Sequence, residues 1–220
     1  LYGALATDRG RYLEAVRAHR RALAIGPVRG EALHNLGNAY RFSGEVVAAT
    51  RLLADSQARR LGRFYSEGEF DLTPLQSLRP RLVELGRSCV HPEHRSGGVI
   101  MALWTGLAQY MKKNGYEVMI GCASVPMGDG GHYAASLAKK INASHLSSIE
   151  YRVTPKLALP IHELDQDLDV EPPALLKGYL RVGAKVCGDP AWDPDFNTAD
   201  FLTMFFLKDI HPRYAKHFLV

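Results

Sequence analysis

The stretch LVELGRSCVHPEHRSGGVIMALWTGLAQYM, residues 82–111, decides the fold of this chain. Its first part alternates apolar and polar residues and ends at His91-Pro92, a pattern typical of a strand. Residues 99–114 then have apolar side chains at helical spacing, and Gly115 ends the predicted helix. The stretch therefore predicts a strand, a tight turn and a helix.

The turn before this helix has the chemistry of an anion site. Small residues in Arg95-Ser96-Gly97-Gly98 leave backbone N–H groups exposed, and the start of a helix adds partial positive charge. That combination binds phosphate or pyrophosphate. Two glycines before a helix are a weak signal by themselves, since many such turns hold no anion.

The residues around this stretch predict alternating strands and helices. We expect strands at YEVMIGCASV, SIEYRVTPKLAL and DFLTMFFLKDI, and helices at GDGGHYAASLAKKI and ALLKGYLRVGAKV. EVVAATRLLA fits a strand by its β-branched residues and a helix by the spacing of its alanines and leucines. This alternation is typical of an α/β domain whose sheet is at least partly parallel.

The first 42 residues differ from the rest and resemble a helical repeat. Gly3 matches Gly37 and Gly10 matches Gly44, at the interval of about 34 residues that tetratricopeptide motifs have. In EALHNLGNAYRFSGE the apolar positions up to Tyr40 keep helical spacing. This segment could be a peptide-binding module. The end of a longer array of repeats, or a piece that joins two domains, fits it better.

Two domains follow from this division. We expect a short all-α, tetratricopeptide-like segment over residues 1–43 and an α/β domain over residues 44–220. Hydrophobic residues make up 46% of the chain and charged residues 23%, which is ordinary for a globular protein. No stretch approaches the roughly 18–20 apolar residues of a membrane span, and no secretory signal is visible. We therefore expect a cytoplasmic protein.

Charge and cysteine content limit the function classes further. Lys and Arg total 27 against 23 Asp and Glu, a net charge of +4 that favours an acidic partner. Nucleic acid, anionic lipid and an acidic carrier protein all fit that charge. The 3 cysteines form no CxxC pair and predict neither a disulfide framework nor a zinc site.

Several separated motifs resemble one family of acyltransferases. VHPEHRSGGVIMALW is similar to the GNAT motif, in which an Arg or Gln precedes Gly-x-Gly or Gly-x-Ala after a strand. GRFYSEGEFDL, ELGRSCVHPEHRSGGVI and IGCASVPMGDGGHYAASLAKK together resemble the ornithine N-acyltransferases of ornithine-lipid synthesis and the related hemolysin-like proteins. The resemblance covers about residues 44–220 and implies a GNAT-like mixed sheet flanked by helices.

That resemblance implies an activity and its partners. A 3-hydroxyacyl chain would pass from acyl carrier protein to the α-amino group of ornithine, giving a lyso-ornithine lipid. The donor would be a phosphopantetheine thioester, on acyl carrier protein or on coenzyme A, with no permanently bound cofactor. We expect acyl carrier protein and the amino acid as partners and no nucleic acid. Contact with the inner face of an anionic membrane would be peripheral.

The resemblance also implies which residues hold the donor. The phosphate would lie against the turn and its flanks, at Val90, His91, Arg95, Ser96, Gly97, Gly98 and Val99. The last position of the motif is Ile100 instead of Gly or Ala, a departure that weakens the predicted grip on pyrophosphate.

Two residues of the predicted strand are candidates for catalysis. Glu84 fits a general base or a site for the acceptor ammonium, and equally a structural partner of an Arg. Arg87 fits a bidentate carboxylate site, and equally a salt bridge inside the sheet. Side chains alternate along a strand, so the two line one cleft only if a bulge intervenes. The pair also resembles that of the acyl-homoserine-lactone synthases.

Cys122 and Ser124 follow a predicted strand, where substrate pockets open in α/β sheets, and we expect them at the border of the cleft. An acyl-enzyme on Cys89 or Cys122 is disfavoured because no His–Asp arrangement accompanies either. The His91-x-x-His94 spacing lacks a third ligand and predicts no metal site.

The remaining aromatic residues and the overall function have competing interpretations. Trp104, Phe205 and Phe206 fit the lining of an acyl tunnel or, more simply, the core. Tyr133 fits an acid for the leaving thiolate or, more simply, a buried helix residue. The alternative functions are an interaction protein with an inactive acyltransferase remnant, and a coenzyme A-dependent acetyltransferase of a small amine.

Overall fold

A computed structural model of the chain describes residues 40–42, 45–94 and 97–210. The strands are β1 (Tyr40–Phe42), β2 (Glu45–Ala54), β3 (Phe70–Asp71), β4 (Leu82–Val90), β5 (Val118–Pro126), β6 (Thr154–Pro155), β7 (Lys185–Val186), β8 (Ala191–Asp193) and β9 (Thr198–Phe206). The α-helices are α1 (Asp55–Leu61), α2 (Ser66–Glu69), α3 (Gly97–Asn114), α4 (His132–His145) and α5 (Ala174–Val182). Short 3-10 helices lie at Thr73–Arg81, Pro92–His94, Ile149–Tyr151, Ile161–Glu163 and Leu207–Asp209.

Seven strands form one mixed sheet in the order β1-β2-β4-β5-β9-β7, with β8 also paired to β9. Strands β4 and β5 run parallel and are connected by α3, whereas the other paired strands of this sheet are antiparallel. Strands β3 and β6 form a separate two-stranded sheet. The predicted α/β class with a partly parallel sheet is confirmed.

Most of the predicted elements are present, and one is wrong. EVVAATRLLA forms strand β2, so its strand interpretation is confirmed over the helical one. The strand predicted over SIEYRVTPKLAL is instead a 3-10 helix at Ile149–Tyr151 followed by the two-residue β6. Its partner β3 is also only two residues long, and the pairing ends with Pro155 opposite Phe70.

Residues 1–39 lie outside the described part of the chain. The tetratricopeptide-like segment and its boundary at residue 43 therefore stay predictions. Tyr40, placed by the sequence at a helical position, lies instead in β1 and pairs with Ala48 of β2. Hydrogen bonds to a neighbouring strand override a local helical pattern of this kind.

The large sheet has two covered faces. The first face is covered by α1, α2 and the 3-10 helix Thr73–Arg81, and its core includes Phe64, Leu75, Leu82, Ile120 and Leu202. The second face is covered by α3, α4 and α5, and its core includes Leu85, Leu107, Met119, Leu137 and Phe205. Within the described residues, no helix is both long and apolar enough to cross a membrane.

Arg79 joins the segments that cover the first face. Its Nε donates to Asp55 Oδ1 of α1 at 2.6 Å, and its Nη1 donates to Glu67 Oε1 of α2 at 2.6 Å. Its guanidinium also lies over the ring of Phe64, 4.9 Å from the centroid. These contacts hold α2 against the sheet, and α2 provides part of the site described next.

Candidate active site

Strands β4 and β5 separate in the middle of the sheet. Their pairing runs from Leu82 opposite Val118 to Glu84 opposite Ile120 and then stops, although both strands continue. Strand β4 stays paired with β2 on its other edge, and β5 stays paired with β9 along its whole length. The two facing edges beyond Glu84 therefore enclose an opening in the centre of the sheet.

A β-bulge in β4 lies beside this opening. The register with β2 shifts between Ala49 and Arg51, where β4 has one residue more than its partner. Arg87 has a φ of 53°, the left-handed backbone that bulge residues adopt. A bulge was the condition for Glu84 and Arg87 to line one cleft, and the structure has it at Arg87 itself.

The bulge also changes which side chains reach the second face. Ser88 now points there, because its hydroxyl lies 2.7 Å from that of Thr50 and also bonds Tyr179 of α5. Without the bulge, Ser88 would share the face of Glu84.

Gly121 lies where the two strands part. A Cβ at this position would be 2.5 Å from the main-chain oxygen of Leu85, far inside van der Waals contact. The carbonyl of Gly121 accepts a hydrogen bond from the hydroxyl of Thr203 at 2.8 Å. Glycine therefore lets the backbones of β4 and β5 approach this closely just before they diverge.

Glu84 is buried on the first face, with both carboxylate oxygens bonded. Its Oε2 accepts the N–H of Tyr65 at 2.8 Å. Its Oε1 accepts the N–H of Ser66 at 2.8 Å and the Ser66 hydroxyl at 2.5 Å. Burial raises the pKa of Glu84, while these hydrogen bonds oppose the rise. Within the described residues Glu84 thus pairs with the start of α2 and forms no ion pair with an Arg.

Cys122 continues this hydrogen-bonded group. Its thiol donates to Ser66 Oγ at 3.5 Å, so the chain of contacts runs from Cys122 through Ser66 to Glu84. Burial, and next the charge of Asp200, raises the pKa of the Cys122 thiol. A thiol that stays protonated is a poor nucleophile, which agrees with the expectation against an acyl-cysteine. The side chain of Cys89 lies outside the described part.

Two guanidinium groups lie near each other at the rim of the first face. Arg87 is exposed, and Arg51 on the neighbouring strand is half-buried. Burial, and next the charge of Arg87, lowers the pKa of Arg51. Within the described residues no carboxylate forms a salt bridge with Arg87, so an anion from outside can occupy this position.

Ser124 leads to a carboxylate that the sequence analysis missed. Ser124 is exposed and lies directly opposite Asp200 on β9, to which its hydroxyl bonds. Burial raises the pKa of Asp200, and hydrogen bonds from Ser124 and Thr198 partly offset this. A lone carboxylate inside the apolar strand TADFLTMFF was the available signal. No feature of the sequence pointed to Ser66, because it lies in a polar, turn-rich segment far from Glu84 in sequence.

An apolar cavity of about 30 Å³ opens at the same point on the second face. It is lined by Leu85, Trp104, Gly121, Tyr179, Thr203 and Phe205, among others. A second cavity of about 20 Å³ lies next to it under α3 and shares Trp104 and Phe205. Phe206 lies on the first face against Tyr151, with ring centroids 5.4 Å apart, so it packs against the core, which was its simpler interpretation. Alternation along β9 puts its neighbour Phe205 on the other side.

The predicted phosphate turn is described only in part. Arg95 and Ser96 lie outside the described residues, while Gly97 and Gly98 begin α3. Val99 is 7% exposed and packs with Ala48 in a small apolar cluster, so its side chain faces inward. Of Val99, only the backbone N–H is available to a phosphate.

The flanks of the turn have structural contacts of their own. Val90 packs against the same apolar cluster as Val99. His91 Nδ1 accepts the N–H of Glu93 at 3.3 Å. Within the described residues no group of His, Cys, Asp or Glu side chains is arranged to hold a metal ion. Tyr133 donates its hydroxyl to the carbonyl of Glu171 at 2.6 Å and packs on the second face, across the sheet from Glu84.

The comparison with known families agrees with this architecture. Residues 32–105 match the model of the acetyltransferase (GNAT) domain family, and the chain is a GNAT-type protein. It is 38% identical to the L-ornithine N(alpha)-acyltransferase of Rhodobacter capsulatus over 185 residues, covering 78% of this chain and 67% of the relative. It belongs to the family of L-ornithine N(alpha)-acyltransferases, as the motifs predicted.

A second relative and a solved structure are also similar to this chain. The L-ornithine N(alpha)-acyltransferase of Agrobacterium fabrum is 33% identical over 189 residues, covering 79% of this chain and 62% of the relative. The chain thus spans 62 to 67% of the length of these two relatives. Among solved structures, the loading GNATL domain of CurA from Lyngbya majuscula aligns with a TM-score of 0.49 at 12% identity, over 89% of this chain and 93% of that domain.

Proposed function

We propose that this chain moves a 3-hydroxyacyl group from the phosphopantetheine thioester of acyl carrier protein to the α-amino group of ornithine, giving lyso-ornithine lipid. The observation that carries the proposal is the opening between β4 and β5. It has an apolar cavity on the second face and a charged, hydrogen-bonded group on the first. Relatives named L-ornithine N(alpha)-acyltransferases support ornithine as the acceptor.

The opening suits the pantetheine arm of the donor. Beyond Glu84, the backbone groups of β4 that face β5 lack a strand partner among the described residues. Such groups bond an extended ligand with amides as they would bond another strand. The arm would lie in the opening with its thioester next to Gly121.

The donor phosphate would bind at the start of α3. The N–H groups of Gly97, Gly98 and Val99 are at the first turn of an 18-residue helix, where partial positive charge favours an anion. Arg95 and Ser96 remain the predicted side-chain partners of this phosphate.

The acyl chain would enter the apolar cavities on the second face. Each cavity holds roughly one water in its present form, so Trp104 and its neighbours must move to admit the chain. Burial of each methylene there contributes about 0.8 kcal/mol.

The acceptor would approach from the first face. Arg87, with Arg51 beside it, would bind the carboxylate of the amino acid. The α-ammonium must lose a proton before it attacks. Ser66 Oγ would take that proton, directly or through a water, as its own proton moves to Glu84 Oε1. A raised pKa is the direction that suits a general base at neutral pH.

The amine nitrogen then attacks the thioester carbon, and the new oxyanion accepts hydrogen bonds from backbone N–H groups near residues 89–91. The C–S bond breaks as the amide forms. The second proton of the nitrogen ends on the departing thiolate, and the proton on Glu84 passes to solvent. No acyl-enzyme is needed in this sequence.

Mass spectrometry of the products tests the proposal. The protein is incubated with L-ornithine and one of three donors: 3-hydroxyacyl carrier protein, 3-hydroxyacyl-coenzyme A or acetyl-coenzyme A. We expect lyso-ornithine lipid with the carrier-protein donor. Product from acetyl-coenzyme A alone would favour an acetyltransferase of a small amine, and no product from any donor would favour an interaction protein.

The proposal includes peripheral contact with a membrane, because the product is amphiphilic and the chain has a net charge of +4. Co-sedimentation with vesicles that contain anionic lipid, compared with neutral vesicles, tests this contact. Equal binding to both would contradict an electrostatic attraction.

A further inference from the structure

A carboxylate without a counter-charge lies on the first face beside the opening. Asp200 is fully buried, and its Oδ2 has no hydrogen-bond partner. Its Oδ1 accepts the hydroxyl of Thr198 at 3.3 Å. Within the described residues, no Lys or Arg forms an ion pair with it. Buried charges in proteins are usually paired, since an isolated one is costly.

Two further carboxylates make the surroundings of Asp200 negative. Asp193 on β8 is 6% exposed, and its Oδ1 accepts the N–H groups of Asp195 and Phe196. Glu69 ends α2, and burial, then the charges of Asp193 and Asp200, raises its pKa. Arg63 and Lys156 lie near Glu69 and offset only part of that effect. The group as a whole favours a cation.

This acidic group, Asp200 with Asp193 and Glu69, lies close to the surface and to the proposed reaction site. Tyr65 is 46% exposed, and burial, then the charge of Asp200, raises the pKa of its hydroxyl. Ser124, also exposed, bonds Asp200 directly. Tyr65 and Ser124 therefore lie between Asp200 and solvent, and a ligand reaches the free oxygen of Asp200 when these two side chains move aside.

We propose that the acidic group binds the side-chain ammonium of the acceptor and thereby selects a diamino acid. This inference rests on the proposed function and names the substrate feature that the site recognises. An ammonium has three N–H donors and no acceptor, so it can bond the free Oδ2 of Asp200 and neutralise part of the group. Arg63 and Lys156 lie near Glu69 but form no ion pair with Asp200 in the described part of the chain, so the ligand would supply the positive charge that Asp200 lacks.

The spacing along β5 fits ornithine. Cys122 and Ser124 point to the same face two residues apart, which is about 6.6 Å along a strand. The two nitrogens of extended ornithine are about 6 Å apart, as expected from five bonds of about 1.5 Å. An α-amine beside Cys122 would thus place its δ-ammonium at the level of Ser124 and Asp200.

Steady-state acylation of L-ornithine and L-norvaline tests the inference, because norvaline is ornithine without the side-chain ammonium. We expect the unmodified protein to prefer ornithine in kcat/KM by about 100-fold or more. Asp200→Asn should lower kcat/KM for ornithine by about 100-fold while that for norvaline stays within about threefold. Asp195→Asn removes an exposed carboxylate from the loop before β9 and should change neither value.

The outcomes separate this inference from the proposed function. The inference is overturned if Asp200→Asn lowers kcat/KM equally for ornithine and norvaline, or does not lower it for ornithine. If the unmodified protein acylates no amino acid, the proposed function fails. Calorimetric titration with L-ornithine alone then tests whether the acidic group binds the amino acid. Binding to the unmodified protein that Asp200→Asn abolishes supports the inference, whereas equal affinity or no binding overturns it. Thermal unfolding confirms that the variant is folded, with an unchanged or higher Tm because a buried charge is removed.

Discussion

At the scale of single residues, Glu84 combines a structural and a proposed chemical role. Main-chain N–H groups of Tyr65 and Ser66 hold its carboxylate in place, and the same contacts fix the start of α2. Removing Glu84 would therefore disturb the fold and the chemistry together. The Ser66 hydroxyl is the contact that can be removed while both main-chain bonds remain.

Ser66→Ala should slow acylation, because it removes the proposed proton acceptor, and should also move the pH dependence of the activity that remains. The hydroxyl lowers the pKa of Glu84 against the effect of burial, so its loss raises that pKa further. A general base is inactive when protonated, and the acidic limb of kcat/KM should therefore shift to higher pH. The profile of Ser56→Ala, an exposed serine of α1, serves as the control. An unmoved limb in a folded Ser66→Ala protein would count against Glu84 as the base.

Arg87→Gly should separate stability from substrate binding. A left-handed backbone costs a side-chain-bearing residue roughly 1–2 kcal/mol, and glycine adopts it freely. We expect urea unfolding to show equal or higher stability, by up to about 1 kcal/mol, and the KM for the amino acid to rise. Asn197→Gly, at the other non-glycine residue with positive φ among those described, should leave KM unchanged. An unaltered KM in Arg87→Gly would refute the carboxylate site.

Sequence reasoning reached some of these residues for identifiable reasons. Glu84 and Arg87 were candidates because a carboxylate and a guanidinium lie on the strand before the predicted phosphate turn, in a pair that resembles that of the acyl-homoserine-lactone synthases. The partners of Glu84 could not be predicted, because Tyr65 and Ser66 approach it only through the tertiary fold. Asp200 was within reach of the sequence, since a buried carboxylate in an apolar strand is unusual.

At the scale of elements, the opening between β4 and β5 is the feature that defines the site. Periodicity and turn residues predicted both strands and α3. The end of the pairing after Glu84 and the bulge at Arg87 were not predictable in position, because they depend on how β2, β4 and β5 meet. The sequence indicated only that such a bulge would be needed.

Gly121→Ala should damage the opening. The added Cβ would meet the main-chain oxygen of Leu85 at 2.5 Å, and that oxygen cannot yield without moving β4. We expect a loss of about 1–3 kcal/mol in the free energy of unfolding, measured with urea, and weaker donor binding. Gly178→Ala in α5 has no atom within 4 Å of its new Cβ and should be neutral or stabilising. Equal behaviour of the two variants would contradict the close approach at Gly121.

Arg79→Met should loosen the cover of the first face. It leaves the carboxylates of Asp55 and Glu67 without their shared cation, at a cost of about 2–4 kcal/mol. Arg59→Met is the control, because Arg59 is largely exposed and its pair with Asp55 should contribute less than about 1 kcal/mol. Chemical unfolding at neutral pH measures the loss of stability in both variants. Equal losses would contradict the role of Arg79 in holding α1 and α2 against the sheet.

The same network predicts a pH dependence. Burial opposes ionisation of Asp55, but hydrogen bonds from Arg59 and Arg79 outweigh it and lower its pKa. A lowered folded-state pKa stabilises the protein above the unfolded value, and this contribution is lost as pH falls toward the folded one. The difference in Tm between the unmodified protein and Arg79→Met should therefore shrink under acid. A constant difference would assign the effect to packing alone.

At the scale of the whole molecule, the two faces of one sheet divide the proposed work. Apolar cavities under α3 lie on the second face, and the charged groups of Glu84, Arg87 and Asp200 lie on the first. The thioester would meet the amine where β4 and β5 part. The central claim is therefore that the donor occupies this opening between the strands.

Hydrogen–deuterium exchange with a non-hydrolysable thioether analogue of 3-hydroxyacyl-pantetheine tests that claim most directly. The prediction is slower exchange, on binding, of the β4 amides beyond Glu84 that face β5. The β2 amides that bond β4 should stay unchanged as an internal reference, because they are already paired. Unaltered exchange in β4 and β5 under saturating analogue would contradict the account.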